Sequence, residues 1–373
     1  MKSTKLLTAF NLTASLLALI MGFILAAPNA AFAWGGRGHN EVCMAATYTV
    51  RNEKLRPFLK ARSHIMGHLC NIPDVYWKSL KGTEVQLGSS SHYVDADMLG
   101  IKLSEIPKAF SEVENQFTGK TYGEDKKVIR SVALDFGSAW WRVDQFHRRN
   151  LELAAKIKAQ SPPAPKERTS ESHPYVASVN DWLTSMGLMG HFVGDLSQPF
   201  HSTIDYDGYN AGHGGIHAYY EEIVVAQFGP ELLKKVADAA VKLRKAAKAS
   251  FLTAKDAQER VRALSEVSLA DLQKVLKADK LIQPSSNKDE KGMSIKKEAD
   301  RKPLKDTFKN FEPLVIAHMA RSAALLSLFW EEAYLAAGEP NLEVAKSYWF
   351  PFKPDFVPLD YVTKLPEPEP AKK

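Results

Sequence analysis

Two His-to-carboxylate pairs with the same spacing carry the chemistry this chain could do: His191-Phe-Val-Gly-Asp195 and His217-Ala-Tyr-Tyr-Glu221. On a helix, positions four apart share a face, so each imidazole and its carboxylate can grip one ion together. A single pair of this kind is commonly just a surface ion pair. Here two pairs fall within 31 residues, with His201 between them directly after Gln198-Pro199-Phe200, where proline ends or kinks a helix. Nitrogen and carboxylate ligands of this type suit zinc, and closely spaced zinc ions suit phosphoester hydrolysis.

Further ligands are available upstream. His92 sits in Ser91-His92-Tyr93-Val94-Asp95 and Asp74 in Ile72-Pro73-Asp74-Val75-Tyr76-Trp77. Taken alone, the first reads as a satisfied core histidine and the second as a helix cap after its proline. The start of the chain adds an unusual pair. Lys2 and Lys5 precede an apolar run from Leu6 to about Ala27, which closes on Ala31-Phe32-Ala33. That is the pattern of a secretory signal with a small-x-small cleavage site; an uncleaved membrane anchor is the alternative, because the run is long enough to span a bilayer. Cleavage after Ala33 leaves 340 residues beginning Trp34-Gly-Gly-Arg-Gly-His39. A free α-amine titrates near neutrality, so with its own carbonyl it can chelate a metal, and His39 would complete the site.

These residues resemble the superfamily of zinc-dependent phospholipases C and single-strand-specific zinc nucleases, helical enzymes that carry three zincs and begin, after processing, with a metal-binding tryptophan. The resemblance runs from Trp34 to about Glu222. It implies that Asp74, His92, His191 and Asp195 hold one zinc. His201, His217 and Glu221 would hold its close neighbour, and Trp34 and His39 the third, with Asp195 bridging to it. It further implies that Asp74 orients or deprotonates the attacking water. A phosphodiester is anionic and repels nucleophiles; metals that acidify water and spread the charge on the phosphoryl oxygens answer that difficulty.

Lipid and nucleic acid both stay open as substrates. The Gly-Ile-His-Ala-Tyr-Tyr-Glu221 stretch, the short step from His201 to His217, and Ser197 in place of a nuclease histidine are similar to the phospholipase pattern. The five-residue step from Trp34 to His39 and the His92-Tyr-Val-Asp95 stretch resemble the nucleases. The reading adopted is a secreted or periplasmic phospholipase C-like hydrolase, with a single-strand nuclease as the alternative. A non-catalytic helical protein with one structural zinc is the remote one, since a closed site needs only four ligands. Phospholipid or single-stranded nucleic acid would be the partner, peripheral membrane contact fits either, and no obligate protein partner is evident.

The elements that must position these residues read almost entirely as helix. Apolar residues recur at three- and four-residue intervals over Val42–Ala61, Leu134–Ala159, Asn180–Asp195, Ile216–Phe228, Pro230–Phe251, Ala257–Ala278 and Phe308–Ala337. The expectation is an all-α fold: a phosphoesterase domain over 34–280, a polar insert or linker over 281–303, and a C-terminal helix with a Pro-rich tail over 304–373, packed on the same domain. Ser161–His173 reads as an exposed loop and Leu365–Lys373 as a disordered tail. No second long apolar run is expected after the leader. Of 373 residues 45% are hydrophobic and 25% charged, which excludes collagen-like, low-complexity and wholly disordered chains. Cys43 and Cys70 are the only cysteines, too few for a disulfide framework or a Cys-rich zinc module. An oxidising compartment would allow them to pair, and two buried free thiols are the alternative. The net charge of +6 becomes +4 once Lys2 and Lys5 are removed, mild enough to suit an anionic membrane surface or a polyanion alike. The aromatic run Tyr348-Trp349-Phe350-Pro351-Phe352 with Phe356 reads as a segment packed across helices, with lipid contact or base stacking as the alternative.

Overall fold

The protein is described from a computed structural model, covering residues 34–123, 126–288 and 294–363. The leader read over 1–33 and the tail over 365–373 lie outside the described residues. Among those described, seven helices of 13 residues or more supply the core: α1 (Gly35–Thr49), α2 (Ser63–Val75), α3 (Ala139–Ala159), α4 (Pro174–Ser197), α5 (Leu232–Ala246), α6 (Ala257–Leu269) and α7 (Leu304–Ala336). Strand pairs are short and antiparallel: β1 (Thr121–Tyr122) with β2 (Lys127–Val128), β3 (Leu281–Gln283) with β6 (Asp300–Arg301), and β4 (Ser286–Lys288) with β5 (Ser294–Lys297). The fold is all-α, as the periodicity predicts.

Helix α4 is the axis of the assembly. Pro174 starts it, free of any N–H to waste, and the His173 ring accepts from Tyr175 N. It stops at Ser197, because Pro199 cannot continue it and Gln198 turns its side chain back to accept from Phe200 N. Two of its glycines admit neighbours that no other residue would. A Cβ at Gly190 would strike Cys43 Sγ and Leu326, and one at Gly194 would lie 2.9 Å from His39 Nδ1. Helices α1 and α2 therefore press directly onto the face of α4 that ends in His191 and Asp195. Burial of the apolar residues on these facing surfaces, among them Val42, Leu69, Met186 and Leu326, is the main force holding the three together.

Several boundaries differ from the periodic reading, each for a local reason. The expected Val42–Ala61 helix breaks after Thr49: Asn52 Oδ1 accepts from Lys54 N and Leu55 N and starts a new turn, while Glu331 of α7 takes Arg51 N and Asn52 N. The expected Leu134–Ala159 helix is interrupted at Gly137, which has φ 87° and packs where a Cβ would collide with Tyr93 O. The Ala257–Ala278 helix ends at Leu269, and Asp271 opens a short second helix, Leu272–Ala278, with its carboxylate held by Arg321, Lys274 and His318. Helix α2 is new relative to the periodic reading. So is the order in the insert, which is a pair of ladders and not a plain linker.

Helix α7 corrects a further expectation, since it is a second run long and apolar enough to cross a membrane by length and composition. Here it is a core helix, packed against α1, α3, α4 and α5. The cysteines form a disulfide, Cys43–Cys70, joining α1 to α2. After α7 an extended segment crosses the helices: His68, Trp77 and Gln145 hydrogen-bond to the carbonyls of Pro351, Pro354 and Pro358. Phe356 packs on Trp77, whereas Tyr348 and Phe352 are exposed.

Candidate metal centre

The sequence pairs survive into three dimensions and are joined by the upstream residues. His191 and Asp195 lie one turn apart on α4, and Asp74 occupies the last turn of α2. His92 ends a 3₁₀ turn, Ser90–His92, and His39 projects from α1. All five are buried and converge: His39 Nε2 is 3.3 Å from Asp195 Oδ1 and 3.9 Å from Asp74 Oδ2, while His92 Nδ1 is 3.2 Å from Asp195 Oδ2 and 2.9 Å from His191 Nε2. Beside them is a second group. His201 stands in the 3₁₀ turn Pro199–Ser202; His217 and Glu221 straddle a junction where Ile216–Ala218 widens into a π-helical turn, Tyr219–Val224. Their spacing still brings His217 Nε2 to 2.9 Å from Glu221 Oε2, and His201 Nε2 lies 3.1 Å from His217 Nε2. The potential ligand atoms of His39/Asp74/His191, of His92/His191/Asp195 and of His201/His217/Glu221 each fall within 4.8 Å of one another.

Three of the imidazoles are aimed by carbonyl groups. His191 Nδ1 faces Cys70 O at 2.7 Å, His201 Nδ1 faces His92 O at 2.8 Å, and His217 Nδ1 faces Tyr206 O at 3.0 Å. A carbonyl only accepts, so each Nδ1 carries the proton and donates it, and each Nε2 presents a lone pair. His201 and His217 thus point two lone pairs at each other beside a carboxylate, which only a proton or a cation between them can reconcile. Both carboxylate oxygens of Asp195 lack a hydrogen-bond donor among the described residues although the side chain is fully buried. Buried carboxylates of this kind are ordinarily paired or metal-bound. The donor set therefore fits metal ions, with backbone carbonyls fixing the outward ring nitrogens as at protein metal sites generally.

The electrostatics follow the packing. Burial drives Asp195 well above the usual carboxylate range, against the pull of His201. Burial also raises Asp74, which Lys78 and His39 counter. Burial lowers both His92 and His191 well below the usual imidazole range, a neutral state suited to binding a cation. Glu221 behaves otherwise. Burial pushes it up, yet His217 and His201 prevail and hold it at about 2. Burial likewise works to lower His217, but Glu221 outweighs it and the net shift is upward.

Trp34 takes the other side of the second group. Its backbone N lies 3.2 Å from Glu221 Oε2, its carbonyl accepts from Gly38 N, and its indole Nε1 donates to Gly194 O at 2.8 Å. The ring is fully buried against Tyr220 and His318. The resemblance pairs Trp34 with His39; the ring of each lies against Gly194, but the Trp34 nitrogen points to Glu221.

Two polar residues to which the sequence reading gave no role at the site also belong here. Gln198 Nε2 donates to Glu221 Oε2 at 3.0 Å, and Lys78 Nζ lies 2.5 Å from Asp74 Oδ1, one helical turn on. The Asp-x-x-x-Lys spacing was the available signal for the second. A cleft lined by Pro73, Trp77, Lys78, Gly88, His92 and Phe356 reaches the first group. The polar insert has a part as well: Arg301 donates to His213 O and Gly214 O and pairs with Asp279, which also holds His213. The 203–215 loop leading into His217 is thereby pinned to β6. No family model matches the chain, and no curated protein matches its sequence.

Proposed function

We propose that the protein is a zinc-dependent phosphodiester hydrolase of the phospholipase C type. The observation that carries this reading is the aiming of three imidazole Nε2 lone pairs, by carbonyls behind them, at the buried carboxylates Asp195 and Glu221. Asp74, His92, His191 and Asp195 would hold one zinc, and His201, His217 and Glu221 a second. His39 would hold a third with Asp195, and the Trp34 amine freed by cleavage would lie within reach of Glu221. Zinc bound there polarises a phosphoester and lowers the pKa of water. The chain's own groups do the rest. Asp74 orients the attacking water and accepts its proton. The Lys78 ammonium, a quarter exposed in the cleft, meets a non-bridging phosphate oxygen.

Exposed apolar side chains adjoining the ligands support a lipid substrate. Val75, next to Asp74, is 65% exposed, and Tyr206, whose ring is 5.9 Å from that of His217, is 49% exposed. Such groups suit contact with a lipid surface. A nuclease is the second reading, favoured by Lys296 over the Tyr209 ring at 5.1 Å, a basic and aromatic pair beside the same loop. The test gives phosphatidylcholine vesicles and single-stranded DNA, in parallel, to mature protein with its zinc counted, with and without chelator. Chelator-sensitive release of phosphocholine is expected; chelator-sensitive nucleotide release instead would replace the first reading with the second.

A further inference from the structure

The Cys43–Cys70 disulfide lies against the first group of ligands, and neither cysteine supplies a hydrogen bond that orients the second. Cys43 follows His39 by one turn on α1, and Cys70 precedes Asp74 by one turn on α2. The carbonyl of Cys70 itself accepts from His191 Nδ1. Gly190, adjacent to His191, is the position where any Cβ would meet Cys43 Sγ, with Cys70 Sγ 3.3 Å away. One covalent bridge thus touches all three helices that bring His39, Asp74, His191 and Asp195 together. The second group is aimed by other means: His92 O behind His201, Tyr206 O behind His217, and Gln198 on Glu221.

We infer that the Cys43–Cys70 disulfide is a positioning element for metal binding at the first group alone, fixing the α1–α2 separation and the carbonyl that sets the His191 tautomer. This inference rests on the metal-binding reading above. Groups that hold a ligand in place matter to affinity almost as much as the ligand does.

Two backgrounds separate the groups. His217→Ala disables the second and leaves the first; Asp195→Asn does the reverse. Zinc affinity is measured by competition with a chromophoric chelator, each background with and without Cys43→Ala/Cys70→Ala, and circular dichroism checks folding. Loss of the disulfide is expected to weaken zinc binding about 10–100-fold in the His217→Ala background, and by no more than about two-fold in the Asp195→Asn background. Equal weakening in both backgrounds, or none in the first, overturns the inference. If the disulfide-intact His217→Ala and Asp195→Asn proteins both take up no zinc, the metal-binding reading itself has failed. Should the double alanine variant not fold, Cys43→Val/Cys70→Ala, which refills the volume with apolar atoms, is titrated in its place.

Discussion

Asp195 and Glu221 are both fully buried carboxylates flanked by imidazoles, yet the protein treats their charges in opposite ways. Around Glu221 there are donors: Gln198 Nε2, the Trp34 N–H, and a His217 ring whose affinity for a proton is raised. Burial would push the carboxyl up, but His217 and then His201 prevail and hold the anion at about 2 without a metal. Around Asp195 stand the rings of His39, His92 and His191, the last two with lowered proton affinity, at 3.2–3.4 Å and without a formed hydrogen bond to it among the described residues, and burial raises its pKa. The difference teaches where the need for a cation is greatest. The second group keeps its carboxylate ionised against imidazoles that can take a proton, whereas at the first group ionising Asp195 is uphill until a cation is there to offset the charge.

The sharpest way to break that comparison is Asp195→Asn, which should cut phosphodiester hydrolysis by at least about 10³-fold and lower the zinc count. Full activity would remove Asp195 from the centre. Next, one extra residue ahead of Trp34 in the mature chain should reduce activity about 10–100-fold and cost zinc at the Glu221 side. Retention of both would show that the terminal amine is not a ligand.

A smaller effect tests the electrostatics in metal-stripped protein. Glu221 has a folded pKa below its ordinary value of 4.5, so it stabilises above that pH, and the contribution disappears as pH falls from 4.5 to about 2. Glu221→Gln should therefore lower the stability of the metal-free protein at pH 7, by up to about 3 kcal/mol. Asp195 has a folded pKa above its ordinary 3.8, so its ionised form destabilises, increasingly as pH rises from 3.8 through the raised value. Asp195→Asn should leave the metal-free protein as stable as the parent at pH 7, or more so. Thermal melts that move in the same direction for both variants would erase the contrast. Smallest of all, Gln198→Ala should weaken zinc at the second group by about ten-fold, the low end of the worth of one hydrogen bond to a charged group; an undiminished affinity would leave the imidazoles alone responsible for Glu221.

The all-α character and the two His-to-carboxylate pairs, His191/Asp195 and His217/Glu221, were legible because their signals are local. Apolar spacing marks a helix, and a His and a carboxylate four apart share a face whatever surrounds them. Asp74 and His92 were weak as isolated residues and gained meaning only from the resemblance. The parts that could not be read depend on distant partners. His191 is aimed by Cys70 O, 121 residues away, and His201 by His92 O, 109 away. The break after Thr49 rests partly on Glu331, and the insert earns its ladders by holding the loop at Gly212–Gly214. Nothing in a short window of sequence carries such pairings. Pairing of the two cysteines was likewise undecided, since it turns on whether α1 and α2 approach closely, and the glycines of α4 are what allow it.

The burial of Trp34 has a consequence for how the molecule is made. Its indole donates to Gly194, midway along the chain, and its ring rests against His318, on the last long helix. Trp34 is therefore not seated until α7 has been synthesised and docked. Contacts of such long sequence separation form late and slowly, because the chain entropy they cost is repaid only at closure. A partly synthesised chain therefore lacks a finished centre, and the cluster of candidate ligands closes only when assembly is complete.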